Sequence, residues 1–435
     1  MLLLCVWICL CSVLTAAEWP QWRGATGNGV STEKNVPLEW SGTKTVAWKT
    51  EIPGIGHSQP VVWKDRIFLT SDIEGDVIPG AKAPKHFLNK EEFLHPDSMG
   101  ATKKHTLLVI AVDRASGKIV WQRTAYEGAV FDNRHKRGSY ASPTPVTDGE
   151  TVYAYFGSEG IFAYDFAGKL LWKNSPGKLM TVGMGPGTSP VIDGNLIFLQ
   201  CDQNEGEGSF IMALNRKTGK EVWTTARKHQ VTWSTPVIAD TGARRELIAM
   251  GSESTIGYEL ETGKELWRAN GVVGNAVGTP LVGHGMVYVA SGYPDKKTFA
   301  LKLGLLGDQG DSKAVVWKYE KGTAYVPSNI LVGDYIYLIT DKGLLTCLDA
   351  KTGEMKYEGK RVPVPASFMA SPVAVGDKIL LTSTDGDTFV IQAGTEHSVL
   401  RTNPIGEPVS ASLAIAGDRI YIRAEKHLYA IASKS

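Results

Sequence analysis

The stretch that decides the fold is residues 189–198, SPVIDGNLIF, which returns in altered form as SPVAVGDKIL at 371–380. A second stretch, KTGKEVW at 217–223, returns as ETGKELW at 261–267. Each copy contains a small residue or a proline, an apolar run, a Gly/Asp turn and a later strand that ends in tryptophan. Self-similarity at a steady spacing marks a repeat architecture, so the repeat unit determines the fold.

The copies align on the position of Pro190, and the chain contains eight of them. Their spacing is about 40 to 50 residues, the length of one propeller blade, except where an insertion at roughly 73–104 lengthens the first interval. The apolar runs alternate with polar residues, as in DYIYLI at 334–339, which predicts strands rather than helices. The anchor positions are Pro60, Pro145, Pro190, Pro236, Pro280, Asn329, Pro372 and Leu413.

Most copies close with a strand that carries an aromatic residue at its end, and Tyr357 and Leu400 take that place in two weaker copies. The last copy lacks such a strand, whereas an unmatched one, TVAWKT, lies at 45–50. We therefore predict an all-β, eight-bladed β-propeller of four-stranded antiparallel blades, closed into a ring by the N-terminal strand. Because they recur at one place in the unit, we predict structural docking roles for Trp48, Trp121, Trp172, Trp223, Trp267 and Trp317.

The start of the chain is typical of a signal peptide at 1–17, with an apolar run and small residues before Glu18, although no basic residue precedes the run. That run is shorter than the ~20 apolar residues of a membrane helix. We expect an exported monomer, periplasmic or extracellular, whose mature chain, 18–435, has no transmembrane segment. Its two cysteines, Cys201 and Cys347, lie in non-adjacent units and are expected to be buried free thiols.

The balance of charge excludes one class of partner. The chain has 46 basic and 45 acidic residues, whereas nucleic-acid-binding proteins usually show a basic excess or stripe. We expect no nucleic-acid partner.

The repeats resemble the tryptophan-docking repeats of pyrroloquinoline quinone (PQQ) propellers. The stretch AVDRASGKIVW at 111–121 is the best match, and ALNRKTGKEVW at 213–223 repeats it. The stretch WPQWRG at 19–24, followed by VAW at 46–48, is similar to the opening segment of quinoprotein dehydrogenases. The resemblance covers nearly the whole mature chain and implies the propeller fold. It extends both to those dehydrogenases and to non-enzymatic outer-membrane assembly lipoproteins of the BamB type.

The chain lacks the residues that carry the cofactor chemistry of the dehydrogenases. It lacks their adjacent cysteines, and their Glu/Asn/Asp calcium set with a catalytic Asp maps onto no motif. We expect no cofactor, with PQQ and Ca²⁺ as the alternative, in which case Met184 or Trp233 would underlie the flat cofactor. No hydrolase or haem motif is present, and the histidine spacings make no tight metal-ligand set, so no metal is expected. We expect His86, His95 and His105 to be solvated.

In related propellers, the loops before each innermost strand share one face with the loops between the second and third strands. We call this the loop face and expect the insertion to rim it, because long loops on a rigid scaffold carry function. The sequence favours a binding or assembly module for a protein or cell-envelope ligand, without catalysis. The alternatives are a PQQ-dependent alcohol or sugar dehydrogenase and a metal-assisted hydrolase or lyase. The candidate ligand-binding residues are His57, Arg134, His135, Arg137, His229, Trp233, Tyr293 and Tyr325.

Overall fold

The computed structural model describes residues 18–88, 90–204, 208–271 and 274–433. The predicted signal peptide lies outside the described residues. Within them, the regular structure consists of strands and one short 3₁₀ turn, Gly157–Glu159, without an α-helix. The strands form eight antiparallel sheets of four strands arranged in chain order, which confirms the predicted eight-bladed propeller.

The first four blades run from the innermost to the outermost strand in chain order. Blade 1 contains Val61–Trp63, Arg66–Val77, Lys103–Asp113 and Ile119–Ala129. Blade 2 contains Val146–Thr147, Thr151–Tyr155, Ile161–Asp165 and Leu170–Asn174. Blade 3 contains Val191–Asp193, Leu196–Cys201, Phe210–Asn215 and Glu221–Ala226. Blade 4 contains Val237–Asp240, Arg245–Met250, Ser254–Glu259 and Glu265–Asn270, with Gly307–Asp308 as a short added strand.

The last four blades follow the same order. Blade 5 contains Leu281–Gly283, Met286–Ser291, Lys297–Lys302 and Val315–Tyr319. Blade 6 contains Ile330–Val332, Tyr335–Ile339, Leu344–Asp349 and Met355–Arg361. Blade 7 contains Val373–Val375, Lys378–Thr382, Asp387–Gln392 and Ser398–Pro404. Blade 8 contains Ala414–Ala416, Arg419–Arg423 and His427–Ala432, with Val46–Glu51 as its fourth strand.

The N-terminal strand closes the ring as predicted. Val46–Glu51 pairs antiparallel with His427–Ala432, so the two ends of the described chain share one sheet. A second N-terminal strand, Val30–Ser31, pairs parallel with the innermost strand of blade 7, Val373–Val375. Closure completes the fourth strand of blade 8, from which Trp48 docks on Arg114 of the blade 1 turn, and it fixes the circumference of the channel at the centre.

Hydrophobic clusters lie between neighbouring blades rather than within one blade. In one of them, Phe68 and Val109 of blade 1 pack with Val152 and Phe162 of blade 2. The alternating strands supply these contacts because successive side chains point to opposite faces of a sheet. Each blade is therefore held by the two blades beside it.

The tryptophans at the ends of the outer strands dock onto the following blade. The indole N–H of Trp223 donates to the Leu260 carbonyl at 2.9 Å. Below the ring lies a turn glycine, Gly263, on which a Cβ would come within 2.3 Å of the indole. This contact explains the recurring Thr-Gly-Lys turn, because a larger residue would displace the ring. The same donor contact is made by Trp48 to Arg114, Trp121 to Phe166, Trp172 to Arg216 and Trp317 to Ala350.

Two positions depart from this pattern. Trp267 is 1% exposed, but its N–H donates to Glu246 of its own blade at 3.0 Å. In blade 7, the residue opposite Val390 is Arg401. The matching place in blade 3 is held by Trp223, opposite Ala213. The assignment of that place to Leu400 was therefore wrong by one residue, and the Leu400 side chain is exposed.

The insertion folds onto the loop face above blades 1 and 2. The second strand of blade 1 continues to Val77 and the third begins at Lys103, so residues 78–102 form its connection. Within it, His86–Leu88 and Glu91–Phe93 form a hairpin. A third piece, Ser98–Met99, pairs with Arg134–His135 in the loop that leads to blade 2.

Candidate functional site

The central channel is encircled by a ring of hydroxyl groups, which we call the hydroxyl belt. Each belt residue directly precedes an anchor position of the repeat. The backbone N–H of one belt residue donates to the hydroxyl of the next blade, as Thr144 does to Ser189 at 3.0 Å and Ser328 to Ser371 at 2.9 Å. The belt consists of seven hydroxyl residues, Thr144, Ser189, Thr235, Thr279, Ser328, Ser371 and Ser412, and the amide side chain of Gln59 takes the eighth place.

The belt surrounds a funnel of about 150 Å³ that combines hydroxyl groups with apolar and aromatic side chains. Trp233, Val277, Val326 and Met369 add the apolar wall. The indole N–H of Trp233 donates to the Gly185 carbonyl at 3.0 Å, which fixes its ring at the wall. The funnel is thus partly open and polar rather than filled by side chains.

The N-terminal segment Trp19–Asn28 lies across the far end of the funnel. The indole N–H of Trp22 donates to the belt hydroxyl of Thr279 at 2.7 Å. Arg23 is buried, its backbone N–H donates to the Gln59 side chain, and its guanidinium donates to the Asn329 carbonyl at 2.8 Å. These contacts tie the segment to opposite blades, so it crosses this end of the channel. A second cavity, of about 260 Å³, lies beside the segment and shares Trp22, Thr235 and Thr279 with the funnel.

The funnel mouth continues on the loop face into a cleft of about 370 Å³, which we call the basic cleft. The loops that form it are those before the innermost strands of blades 1, 2, 7 and 8, joined by loops between second and third strands. The funnel and the cleft share His57, Met369 and Ser410 in their walls. The charged and titratable side chains of the cleft are His57, Arg134, Lys136, Arg137, Arg423 and Glu425.

The predicted residues His57, Arg134, Arg137 and Trp233 are brought to this joined cavity, but they differ in exposure. His57 has its pKa lowered to about 4 by burial and by the positive charges of Arg134 and Arg423. Arg134 is buried and forms an ion pair with Glu74 at 3.0 Å. Arg137 is exposed at the cleft edge. Arg134 is therefore held mainly inside the protein, whereas Arg137 faces solvent.

The other four predicted residues lie away from the cavity. His229 is buried behind the funnel wall, where burial and Arg227 lower its pKa to about 4. Tyr293 is exposed, and its ring lies 5.7 Å from that of Tyr325 on the rim of blades 5 and 6. His135 lies on the insertion side, 3.4 Å from the carboxylate of Asp97.

Two histidines of the insertion region are buried, so the expectation that they are solvated was wrong. His86 contacts Asp132 at 2.8 Å, and His105 contacts Asp72 at 2.8 Å. Burial opposes protonation of His105, but the Asp72 carboxylate raises its pKa. The insertion buries these rings because it folds back onto the loop that carries Asp132. His95 stays part-exposed.

One group on the insertion side has the composition of a metal site. The ligand atoms of His95, Asp97 and His135 lie within 4.8 Å of one another. However, Nδ1 of each imidazole accepts a backbone N–H at 3.1 Å, from Asp97 and from Arg137. Each neutral ring therefore keeps its proton on Nε2, the atom left to face an ion. The Lys136 ammonium also lies 2.9 Å from the Asp97 carboxylate. The arrangement favours an ion-pair network over a metal centre.

A small space of about 40 Å³ lies behind Trp233, between blades 2 and 3. Asp202 and Arg227 form a fully buried ion pair beside it, at 2.7 Å. Glu159 also lines this space, and burial raises its pKa to about 7 despite a hydrogen bond from the Phe131 N–H. These groups hold blades together around a space that accommodates a few water molecules.

The funnel does not offer the donor set of a calcium-bound quinone. Ca²⁺ takes six to eight oxygen ligands, usually including carboxylates. Among the described residues, no side chain that lines the funnel is a carboxylate. Met184, the other expected floor for a flat cofactor, does not line the funnel either. The lining of the funnel therefore does not fit PQQ with Ca²⁺.

Sequence reasoning missed two features of this site. The hydroxyl belt had a signal, because a Ser-Pro or Thr-Pro pair recurs at most anchor positions. Arg423 had no such sequence signal, because the other repeats have no arginine at the end of the second strand. Its burial arises only when blade 8 packs beside blade 1. No helix long and apolar enough to span a bilayer is found in the described part of the chain.

Fold and site together define an eight-bladed propeller whose funnel opens on its loop face. A family model described as "Outer membrane protein assembly factor BamB" matches residues 106–358. That span exceeds half of the sequence, and the chain belongs to this family of PQQ-like repeat propellers. None of the curated proteins compared with the chain matches it.

Solved structures show the same architecture. BamB from Moraxella catarrhalis is 15% identical with a TM-score of 0.60, and the similarity covers 89% of this chain and 97% of that one. The quinohemoprotein alcohol dehydrogenase from Comamonas testosteroni is 11% identical with a TM-score of 0.63, over 96% and 81% of the two chains. ADHIIG, a quinohemoprotein alcohol dehydrogenase from Pseudomonas putida HK5, is 10% identical with a TM-score of 0.61, over 96% and 81%. Identities this low indicate the shared fold alone.

Proposed function

We propose that the protein is an exported, monomeric binding or assembly module that holds a protein or cell-envelope ligand on its loop face. The observation that carries this proposal is the funnel that opens into the basic cleft on the loop face. The sequence supports export through its predicted signal peptide, and the family description places relatives in outer-membrane assembly. We propose a periplasmic or extracellular location on the same grounds.

The groups around the mouth suit binding better than acid–base catalysis. Glu425 is the one carboxylate in the described wall of the cleft, and the carboxylates of Glu74 and Asp97 behind it are engaged by Arg134 and Lys136. His57 has a pKa of about 4, so it is a weak proton acceptor at neutral pH. A wall of hydroxyls and guanidinium groups can donate hydrogen bonds to a ligand without changing it.

The rival function is a PQQ-dependent oxidoreductase, which the names of two similar structures suggest. We propose that the funnel holds no calcium-bound quinone, because its walls lack carboxylates. The test mixes the purified protein with PQQ and Ca²⁺ and measures both the melting temperature and dye-linked oxidation of ethanol and glucose. We expect neither a melting shift nor turnover. Turnover that depends on PQQ would contradict the proposal.

A second experiment asks whether the loop face meets a partner. Cys201 and Cys347 are buried and free, so a cysteine introduced at the surface is the reactive one. A photo-crosslinker attached to Arg137→Cys reports on the loop face. The same crosslinker on Lys220→Cys, an exposed turn position on the opposite face, is the matched control. We expect adducts of defined mass from envelope fractions with the first variant only, whereas equal labelling from both would count against a loop-face partner.

A further inference from the structure

Arg423 is a buried cation without a matching anion in the described residues. It ends the second strand of blade 8, is 1% exposed and lines the basic cleft. One of its amino groups donates to the Gly54 carbonyl at 3.2 Å. Its Nε and Nη1 atoms have no hydrogen-bond partner within the described chain. The side chain therefore carries two buried, unsatisfied donors and borders an open cavity.

Such a group is costly unless an acceptor reaches it. Burying a guanidinium removes it from water, and its charge is stabilised well only by a partner that accepts its forked N–H groups. Burial lowers the pKa of Arg423 to about 10, although the more distant Glu407 acts in the opposite direction. An anionic group of a ligand would supply both the charge and the acceptors.

The charges around Arg423 leave the cleft with more positive than negative groups. Arg134 is compensated by Glu74 and Lys136 by Asp97. Arg137 forms no ion pair within the described chain, and Glu425 is the one carboxylate in the cleft wall. The basic cleft therefore keeps a net positive field at Arg423 and Arg137, which attracts an anion.

A comparison with Arg23 separates this site from a structural arginine. Arg23 is equally buried and also has two unsatisfied nitrogen atoms. However, its guanidinium donates to two carbonyls, those of Asn28 and Asn329, both at 2.8 Å. It lies in the segment that crosses the channel rather than in the cleft wall. Arg423 makes a single, longer contact and lines the cleft.

We propose that Arg423, together with Arg137, forms a subsite for one carboxylate or sulfate group of an acidic saccharide. The inference rests on the proposed function, because it assigns a ligand class to the same loop face. The saccharide body extends into the funnel, whose wall continues from the cleft through His57, Met369 and Ser410. There the belt hydroxyls offer hydrogen bonds to sugar hydroxyls, and the apolar side of Trp233 offers a flat contact surface.

The test measures the affinity of the purified protein for glucuronate, glucose 6-sulfate and glucose by calorimetry. We expect the acidic sugars to bind at least about tenfold more tightly than glucose, a difference of about 1.4 kcal/mol. The relative affinities of glucuronate and glucose 6-sulfate show whether the subsite prefers a carboxylate or a sulfate. Equal affinity for all three sugars, or no binding of either acidic sugar, would overturn the proposal.

Variants connect that affinity to the subsite. Arg423→Gln should weaken acidic sugars about tenfold and leave glucose unchanged, because it removes the forked charge. Arg423→Lys should keep part of the affinity that Arg423→Gln loses, because lysine retains the positive charge but not the forked N–H donors of a guanidinium. If Arg423→Gln does not fold, the test uses Arg137→Gln, at the exposed edge of the cleft. We expect this variant to lose about threefold in affinity for the acidic sugars. Lys220→Gln is the matched control and should bind like the wild type.

The outcomes distinguish this inference from the proposed function. Unchanged affinity in both Arg423→Gln and Arg137→Gln would remove the anion subsite. If crosslinked partners still appeared at position 137, the binding module would stand without it. PQQ-dependent turnover would instead overturn the proposed function, whatever the sugar affinities.

Discussion

Replacing one turn glycine tests how neighbouring blades are held together. Gly263 lies under Trp223 with φ +68°, and a Cβ there would approach the indole to 2.3 Å and the Thr225 hydroxyl to 2.6 Å. Gly376 has a similar φ of +55°, but nothing lies within 4 Å of its Cβ position. Gly376→Ala is therefore a matched control that carries the backbone strain alone.

The structure separates the two costs. A residue with a Cβ in the left-handed region costs about 1–2 kcal/mol, and both variants incur that cost. Gly263→Ala also forces a side chain into a filled contact, which adds about 1–3 kcal/mol. We expect a loss of unfolding free energy of about 2–5 kcal/mol for Gly263→Ala and about 1–2 kcal/mol for Gly376→Ala. Urea denaturation measures both values, with the m-value as a check that the transition stays cooperative.

Trp223→Ala supplies the second half of the experiment. Alone it should cost about 3–5 kcal/mol, because it leaves a cavity between blades 3 and 4. Combined with Gly263→Ala, it should cost less than the sum of the single changes, because the methyl group then enters the space left by the ring. Equal losses for the two glycine variants, or strict additivity in the double variant, would refute the docking explanation.

Two buried acidic groups give further predictions. Burial raises the pKa of Glu159 from an unfolded value near 4.5 to about 7, so its contribution to stability falls as pH rises through that window. Glu159→Gln should gain up to about 3 kcal/mol relative to the wild type between pH 4.5 and pH 8, measured by denaturation at both values, and a pH-independent difference would contradict this assignment. Asp202→Asn leaves Arg227 buried without its counter-charge and should cost about 3–5 kcal/mol at pH 7. A loss below about 1 kcal/mol would mean that the pair contributes little.

The repeat made most of the fold predictable. Every anchor residue from Pro60 to Leu413 lies directly before an innermost strand, because the turn and the alternating run are local signals that recur. The closing strand at 46–51 was predictable for a similar reason. The last copy lacks a fourth strand, and a strand pattern near the N-terminus belongs to no other copy.

Most of the errors arose where contacts are not local. The Leu400 error was local, because the turn between the third and fourth strands of blade 7 is one residue longer than in blade 3, which brings Arg401 to the docking place. His86 and His105 are buried because the insertion packs on a loop some thirty to fifty residues away. Arg423 becomes a wall residue of the cleft only because the ring closes and brings blade 8 beside blade 1. Such placements depend on tertiary structure that a linear pattern does not encode.

Native-state hydrogen exchange tests ring closure most directly, because the funnel and the cleft both depend on it. The peptides to compare are the closing pair, 46–51 with 427–432, and an ordinary pair of neighbouring strands in blade 3, 210–215 with 221–226. Both pairs should exchange with the same free energy, that of global unfolding, because each strand is held by its sheet and by the adjacent blades. Exchange of 46–51 at a clearly lower free energy than 221–226 would show that the N-terminal strand opens independently and that the ring is not closed.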